Sequence, residues 1–137
     1  MFLGIMWVHD VPYVLEINVR LGDPETQSLL SRLNTNFYEL LISCAKGEPM
    51  PKILFKSGYS TCVVGVQKNY PSKSEETFEN DPNYKNYLWA GLTEGNHYSG
   101  RVCSAVSFSQ IKEESLKNAY SLIKQLNGLD YRHDIGI

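Results

Sequence analysis

The sequence predicts an α+β protein, a hairpin and two helices followed by a small β-rich portion closed by a long helix. Three observations carry this. Phe2 to Val8 and Tyr13 to Arg20 are strand-type runs separated by the turn-like "HDVP". The runs "YSTCVVGVQ", "NYLWAGL" and "GRVCSAVSF" then follow one another with turn signals between them. Last comes a helical pattern from about Gln110 to Asn127.

Each element has a local justification. Asp23-Pro24-Glu25 reads as a helix start: Asp23 suits the N-cap, Pro24 the first helical position, and Glu25 the positive end of the helix dipole. Leu29, Leu30 and Leu33 would give that helix its apolar face. A second helix is expected from about Asn36 to Ala45, with Phe37, Leu40, Leu41 and Cys44 at helical spacing and Gly47 closing it. "GEPMP" is a loop, because two nearby prolines interrupt regular structure. Gly65, inside the strand Tyr59–Gln67, marks a bulge or a close approach. Lys68–Asn83 is polar and turn-rich and reads as a surface loop; the role of its 72–83 part is left open. Ser109 is placed to cap the last helix, whose stripe is Leu116, Ala119, Tyr120 and Ile123 and whose end is Gly128. Tyr131 and Ile135 are packing anchors for the tail, and Trp7, Trp89 and Tyr120 are read as core aromatics.

Composition narrows the function classes. The chain has 137 residues, 42% hydrophobic, with a net charge of −2. That is enough apolar material for a core, and the charge gives no bulk attraction to nucleic acid or anionic membrane. No apolar run approaches the roughly 18 residues of a membrane span. The N-terminal "MFLGIMWVHD" lacks a basic leader and a small-residue cleavage site, so it does not read as a signal peptide. Cys44, Cys62 and Cys103 lack metal-type spacing and read as reduced core residues of a cytoplasmic protein. Because the chain opens directly in a strand, a fragment or split subunit is expected.

The stretch "VLEINVRLGDPETQ" (Val14–Gln27) carries the chemistry. In a strand, Glu16, Asn18 and Arg20 share one face, and Leu15, Ile17, Val19 and Leu21 point to a core on the other. A plain amphipathic strand would account for the alternation. The residue types suggest more. A carboxylate and an amide oxygen about 7 Å apart on one strand face can share one hard cation. An Arg one step further along can hold a phosphate or carboxylate bidentately. The strand then runs into Gly22 and a helix N-terminus, where free amides favour anions.

This stretch resembles the carboxyl-terminal part of the ATP-grasp fold in the phosphoribosylamine–glycine ligase (glycinamide ribonucleotide synthetase) family, whose pattern is close to LEFN-R-FGDPETQ. "LGIMWVHDVPYV" resembles that family's preceding hairpin. Asn69-Tyr70-Pro71 stands where the family has GYP, "WAG" (Trp89–Gly91) matches its AG strand, and "SGRVCSAVSF" (Ser99–Phe108) its GGRVL strand. "AYSLIKQL" and "YRHDIG" match the final helix and the Y-R-x-DIG ending. The matches are collinear over essentially the whole chain. The departures are Leu21 for Phe, Asn69 for Gly, and a middle loop without the family's Lys-Gly turn.

The resemblance implies residues 1–47 as the end of an ATP-grasp domain and 48–137 as a β-rich carboxyl-terminal domain. It implies ATP-dependent joining of glycine to 5-phosphoribosylamine in purine synthesis, through a glycyl phosphate. It implies Glu16 and Asn18 as ligands of Mg²⁺ or Mn²⁺, and Arg20 as the catalytic contact to phosphate and nucleotide. Asp23 and Glu25 border the substrate site, or serve only as cap and dipole residues. The position corresponding to a further acidic ligand is near Gly4, which offers no side chain. The amino-terminal and ATP-clamping lobes have no counterpart here, so the isolated chain is expected to be inactive and to need those lobes in cis or in trans. An exposed apolar surface is expected around Phe2–Val8, which leaves room for a homo-oligomer. The alternatives are a non-catalytic scaffold that keeps the fold, or part of another ATP-grasp carboxylate–amine ligase. His9, His97 and His133 are too far apart to suggest a metal cluster, and Ser99 and Ser104 lack a triad pattern. Arg101 and Arg132 resemble family positions and read as ion-pair or interdomain residues, with a substrate role as the alternative.

Overall fold

The structure, a computed structural model, describes residues 1–72, 76–78 and 84–136. The fold is α+β. Strands β1 (Phe2–Val8) and β2 (Val11–Asn18) form an antiparallel ribbon. His9 and Asp10 form the turn, both at positive φ (48° and 61°), the conformation that matches the twist of a tight hairpin. Strand β2 therefore starts at Val11, earlier than expected, and it also ends earlier, at Asn18. A bulge sits at Gly4/Ile5, where Gly4 faces Glu16, Ile5 faces Val14, and Leu15 is the extra residue.

Helices α1 (Glu25–Arg32) and α2 (Phe37–Lys46) follow. Helix α2 is as its sequence implies: the Asn36 side chain accepts from the Tyr38 amide at 3.0 Å, and Gly47 closes it at φ 68°. The chain then doubles back, with the Lys56 amide donating to the Arg32 carbonyl at 2.7 Å. Strand β3 (Tyr59–Val66) pairs with β7 (Arg101–Ser109), which also pairs with the short β5 (Leu88–Trp89). Strands β4 (Glu76–Thr77) and β6 (His97–Tyr98) form a small second ribbon. Helix α3 (Lys112–Ile123) covers one face of the three-stranded sheet and α1 the other.

The core lies between α3 and the sheet. Val63, Val102, Ala105, Ala119 and Ile123 are fully buried. Gly65 sits at a register shift and directly under Ile123 and Leu129, so it is both a bulge and a close approach. Ser115, also fully buried, lies 2.9 Å from both Thr61 Oγ1 and the Ser107 carbonyl, which satisfies its hydroxyl. Phe78, Tyr87, Trp89 and Tyr98 extend this core as an aromatic cluster, with Phe78 and Tyr98 at 4.3 Å between centroids. Tyr120 and Tyr131 pack against it, and Tyr120 binds the tail at Arg132 and Ile135.

Several expectations are corrected. Leu15, Ile17, Val19 and Leu21 reach no core: they are 62%, 65%, 97% and 44% exposed. Trp7 is likewise exposed. The cause is that, among the described residues, the ribbon packs mainly against itself, so both its faces are largely exposed. In α1, Leu29 and Leu30 face out, while half-buried Gln27, Ser28 and Ser31 face a sheet surface of small and polar residues; Ser31 Oγ meets Ser60 Oγ at 2.6 Å. Cys44 is exposed and Cys62 half-buried, and only Cys103 is a core thiol. Ser109 is not the N-cap of α3; it accepts from the Ile111 amide and donates to Glu114 instead. The Asn86–Leu92 strand shortens to Leu88–Trp89, because the chain turns at Ala90 and Gly91 to give both amides to the Val102 carbonyl. In the Lys68–Asn83 segment, Lys68–Ser72 is an exposed turn, but Thr77 pairs in β4 and Phe78 is buried. Residues 73–75 and 79–83 lie outside the described residues. No helix among the described residues is long and apolar enough to cross a membrane.

Candidate functional site

Antiparallel pairing decides what lies beside the polar residues of β2. Glu16 faces Gly4, and Asn18, the last strand residue, faces Phe2. Both pairs lie on one face of the ribbon. Glu16 is exposed and Asn18 half-buried. Gly4 is what lets Glu16 lie there: a Cβ on Gly4 would fall 2.8 Å from Glu16 Cγ. The bulge at Leu15 lies immediately before Glu16, a location that re-aims a side chain relative to the strand before it.

Arg20 is not on that strand. It lies two residues past the end of β2, exposed in a bend, and its Nη1 donates to the Leu21 carbonyl at 2.9 Å. The expected three-residue face is thus a two-residue face with a separate arginine at its exit.

The next residues fold back on the ribbon. Gly22 is buried, close against the Phe2 ring and the Glu25 carboxylate, so Phe2 links Asn18 across the ladder to Glu25 at the start of α1. Thr26 Oγ1 donates to the Gly22 carbonyl. Asp23 does not cap α1. The cap position is Pro24, with no side-chain hydrogen bond. Two donors hold the Asp23 carboxylate elsewhere: Gln27 Nε2 reaches Oδ1 at 2.7 Å, and Arg101 Nη1 lies 3.2 Å from Oδ2. Arg101 also donates to the Asp23 backbone carbonyl at 3.3 Å. Arg101 is thus an ion-pair residue joining the loop after β2 to β7, and Arg132 pairs with Asp134 at the tail.

Beneath the start of α1 lies Cys62. Burial pushes its thiol above the usual range, the Asp23 and Glu25 carboxylates add to the effect, and a hydrogen bond with Ser104 opposes it. The thiol is therefore protonated near neutral pH and unsuited to nucleophilic work. Among the described residues, no three His, Cys, Asp or Glu side chains come together in a way that could hold a metal. A cation at Glu16 and Asn18 would rest on one carboxylate and one amide oxygen, with water and phosphate completing its shell. That donor set suits Mg²⁺, and the absence of a side chain at Gly4 lets the Glu16 carboxylate lie across the ribbon face.

Two members of this cluster escape inspection of the strand pattern. Gln27 is four residues after Asp23, the spacing at which helical side chains meet, and that spacing could have revealed the pair. Arg101 lies 78 residues from Asp23, and no local signal connects them.

Comparison with known proteins places this geometry in context. No family model matches the chain. Phosphoribosylamine–glycine ligase of Fusobacterium nucleatum is 32% identical over 98% of the chain, and that of Thermotoga maritima is 31% identical over 100% of it. The bifunctional purine biosynthetic protein purD of Dictyostelium discoideum is 33% identical over 90% of the chain. The crystal structure of the Thermotoga ligase superposes with a TM-score of 0.74 over 96% of the chain, at 29% identity. The chain spans 35% of the Fusobacterium enzyme, 36% of the Thermotoga enzyme and 17% of the Dictyostelium protein.

Proposed function

The chain is a homologue of the carboxyl-terminal part of the phosphoribosylamine–glycine ligases, and from that premise we propose that it forms one wall of such a ligase's active site. The reaction is ATP-dependent joining of glycine to 5-phosphoribosylamine through a glycyl phosphate, in the cytoplasm. The observation that carries the reading is the Glu16–Asn18 face, opened by Gly4 and set by a bulge.

In this reading Glu16 and Asn18 hold Mg²⁺ or Mn²⁺. Bound there, the cation would neutralise phosphate charge as the acyl phosphate forms and breaks. Arg20, free to swing beyond the strand end, contacts the transferring phosphate or nucleotide with the donors it does not spend on Leu21. Glu25 borders the substrate through Gly22 and Phe2, and Asp23 does so from the Arg101 ion pair. Residues 1–47 act as the end of an ATP-grasp domain and 48–137 as the β-rich domain beside it. The bare faces of β1 and β2 receive the remaining lobes, supplied in cis or in trans, and the isolated chain does not turn over.

Two measurements test this. Millimolar Mn²⁺ should broaden the amide resonances around Glu16, Asn18 and Gly4 first, and Glu16→Ala should remove that selectivity. In an enzyme completed with the amino-terminal lobes, Glu16→Ala should abolish turnover; near-normal turnover would falsify the metal assignment. A non-catalytic module would show neither selective broadening nor activity on completion.

A further inference from the structure

The ribbon has two faces, and its register decides which residues share each. Phe2, Gly4, Met6 and Val8 of β1 stand opposite Asn18, Glu16, Tyr13 and Val11 of β2, and these make the face that carries Glu16 and Asn18. The second face is built from Leu3, Ile5 and Trp7 opposite Ile17, Val14 and Pro12. Under strict alternation Glu16 would share a face with Val14 and Pro12. The extra residue at Leu15 breaks that alternation and puts Glu16 on the opposite side from them. The bulge thus clears the second face of the carboxylate and leaves it wholly apolar.

All six residues of this face are exposed, with Leu3 at 43% and Trp7 at 68%. The rest of the chain approaches the ribbon from the first face, where the Phe2 ring lies close to Gly22. The six side chains present on the order of 600 Å² of apolar surface, at the upper end of the largest patches that monomers carry. Two such faces laid together would bury about 1,200 Å², the lower end of the range for specific interfaces.

Charge favours a second copy as the occupant. An uncharged face meets its own copy without bringing like charges together, and Glu16, the one charged side chain of the two strands, lies on the first face. A charged partner would find no group here to pair with, and its desolvation would go uncompensated. A two-fold arrangement closes such a contact at two chains.

We infer that the face formed by Leu3, Ile5, Trp7, Pro12, Val14 and Ile17 is a self-association surface, through which two copies of this chain pack ribbon on ribbon as a closed dimer. The ribbons stack about 10 Å apart with their strands nearly aligned, as paired sheets do. Trp7, the largest of the six side chains, is the anchor. Glu16 and Asn18 stay open to solvent in the dimer, and the inference does not rest on the ligase reading. Lobes that assemble on the ribbon would compete for this face.

Sedimentation velocity from about 1 to about 300 µM chain is the test, because an interface of this size gives a dimer that dissociates between about 1 and 100 µM. Trp7 emission should move to shorter wavelength over the same range as the indole leaves water, and Trp7→Ser, which keeps Trp89, should show no such shift. Trp7→Ser should weaken the dimer at least about tenfold, whereas Met6→Ser and Tyr13→Ser, exposed at 48% and 53% on the first face, should leave it within about threefold. If Trp7→Ser does not fold by circular dichroism, Ile17→Thr carries the same comparison. A chain that stays monomeric to about 300 µM overturns the inference; capture of the amino-terminal part of the Thermotoga ligase by that monomer, lost in Trp7→Ser, makes the lobes the occupant instead. Open-ended oligomers overturn it too, because they report edge-to-edge growth. Equal losses from the three serine variants overturn the choice of face. None of these outcomes touches the Mn²⁺ measurement at Glu16, so the dimer and the ligase reading fail separately.

Discussion

Gly91→Ala isolates what a glycine does where space, and not backbone angle, is limiting. The φ of Gly91 lies outside the left-handed region, so its backbone would accept alanine. The space would not. A Cβ there falls 2.6 Å from the Arg101 carbonyl oxygen and closer still to that of Ser99. Carbon approaches carbonyl oxygen to about 3.3 Å at the closest, so the turn must open by roughly 0.7 Å or more. Both obstacles are backbone, so no side chain can swing aside. Opening breaks the bonds that close the turn: Ala90 and Gly91 amides to the Val102 carbonyl at 2.9 and 3.1 Å, and the Ser99 amide to the Gly91 carbonyl at 3.0 Å. At about 1 kcal/mol each, the cost is about 3 kcal/mol. Gly100 is the matched control. Its φ is 65° and nothing lies within 4 Å of its added Cβ, so Gly100→Ala is strained in angle alone, about 1–2 kcal/mol. Gly100→Asn should recover part of that loss, because asparagine tolerates this conformation, while Gly91→Asn should recover nothing. Urea unfolding followed by circular dichroism measures all four variants. The reasoning fails if Gly91→Ala costs less than Gly100→Ala, or lies within about 0.5 kcal/mol of the parent.

Two further outcomes follow from burial. Burial raises the Cys103 thiol to about 12, partly offset by a hydrogen bond with the Gly65 backbone, and burial with the Glu76 contact raises Tyr98 to about 12. Both groups stay protonated in the folded chain while the unfolded chain ionises from pH 9 for cysteine and 10 for tyrosine. Stability is therefore complete below pH 9 and falls as pH rises towards 12, by on the order of 4 kcal/mol for Cys103 alone. Cys103→Ala should shrink the loss measured by urea unfolding between about pH 8 and 10.5, a range from about one unit below to about 1.5 units above the thiol's ordinary value, and an unchanged slope would remove the assignment. Trp7→Ser and Ile17→Thr, at 68% and 65% exposure, should leave the isolated chain within about 0.5 kcal/mol of the parent. The same pair should weaken assembly with the amino-terminal lobes in a pull-down, whereas a large loss of stability in the isolated chain would mean that the ribbon is already packed.

The sequence was most legible where local chemistry decides. Asn36 and Gly47 bracket α2, and Gly65 marks a bulge and a close contact at once. Asn69 stands where the ligase pattern has glycine, and its φ of 62° explains the exchange, since asparagine adopts that region more readily than other side chains. Legibility ended where tertiary contacts decide. Asp23 has every local attribute of a cap, yet Arg101 from β7 takes its carboxylate. The alternation in β2 implies a buried side, yet nothing among the described residues covers it. Periodicity reports that a face is meant to be buried and is silent about which chain buries it. The Glu16–Asn18 face was readable because pairing with β1 preserves the alternation from Glu16 to Asn18; Arg20 was misplaced because the strand stops at Asn18.

The ribbon also sets a condition on handling the chain. Strand β1 carries no charge and no proline over its seven residues, and among the described residues both strands have an unpaired outer edge. Such edges template the addition of further strands, and natural sheets guard them with charges. Within the two strands the only charged side chain is Glu16. The carboxylate offered to a metal is therefore also the ribbon's only charged gatekeeper against edge-to-edge aggregation, beside Pro12 in β2 and the bulge at Gly4/Ile5. Neutralising it by substitution should cost solubility before it costs fold.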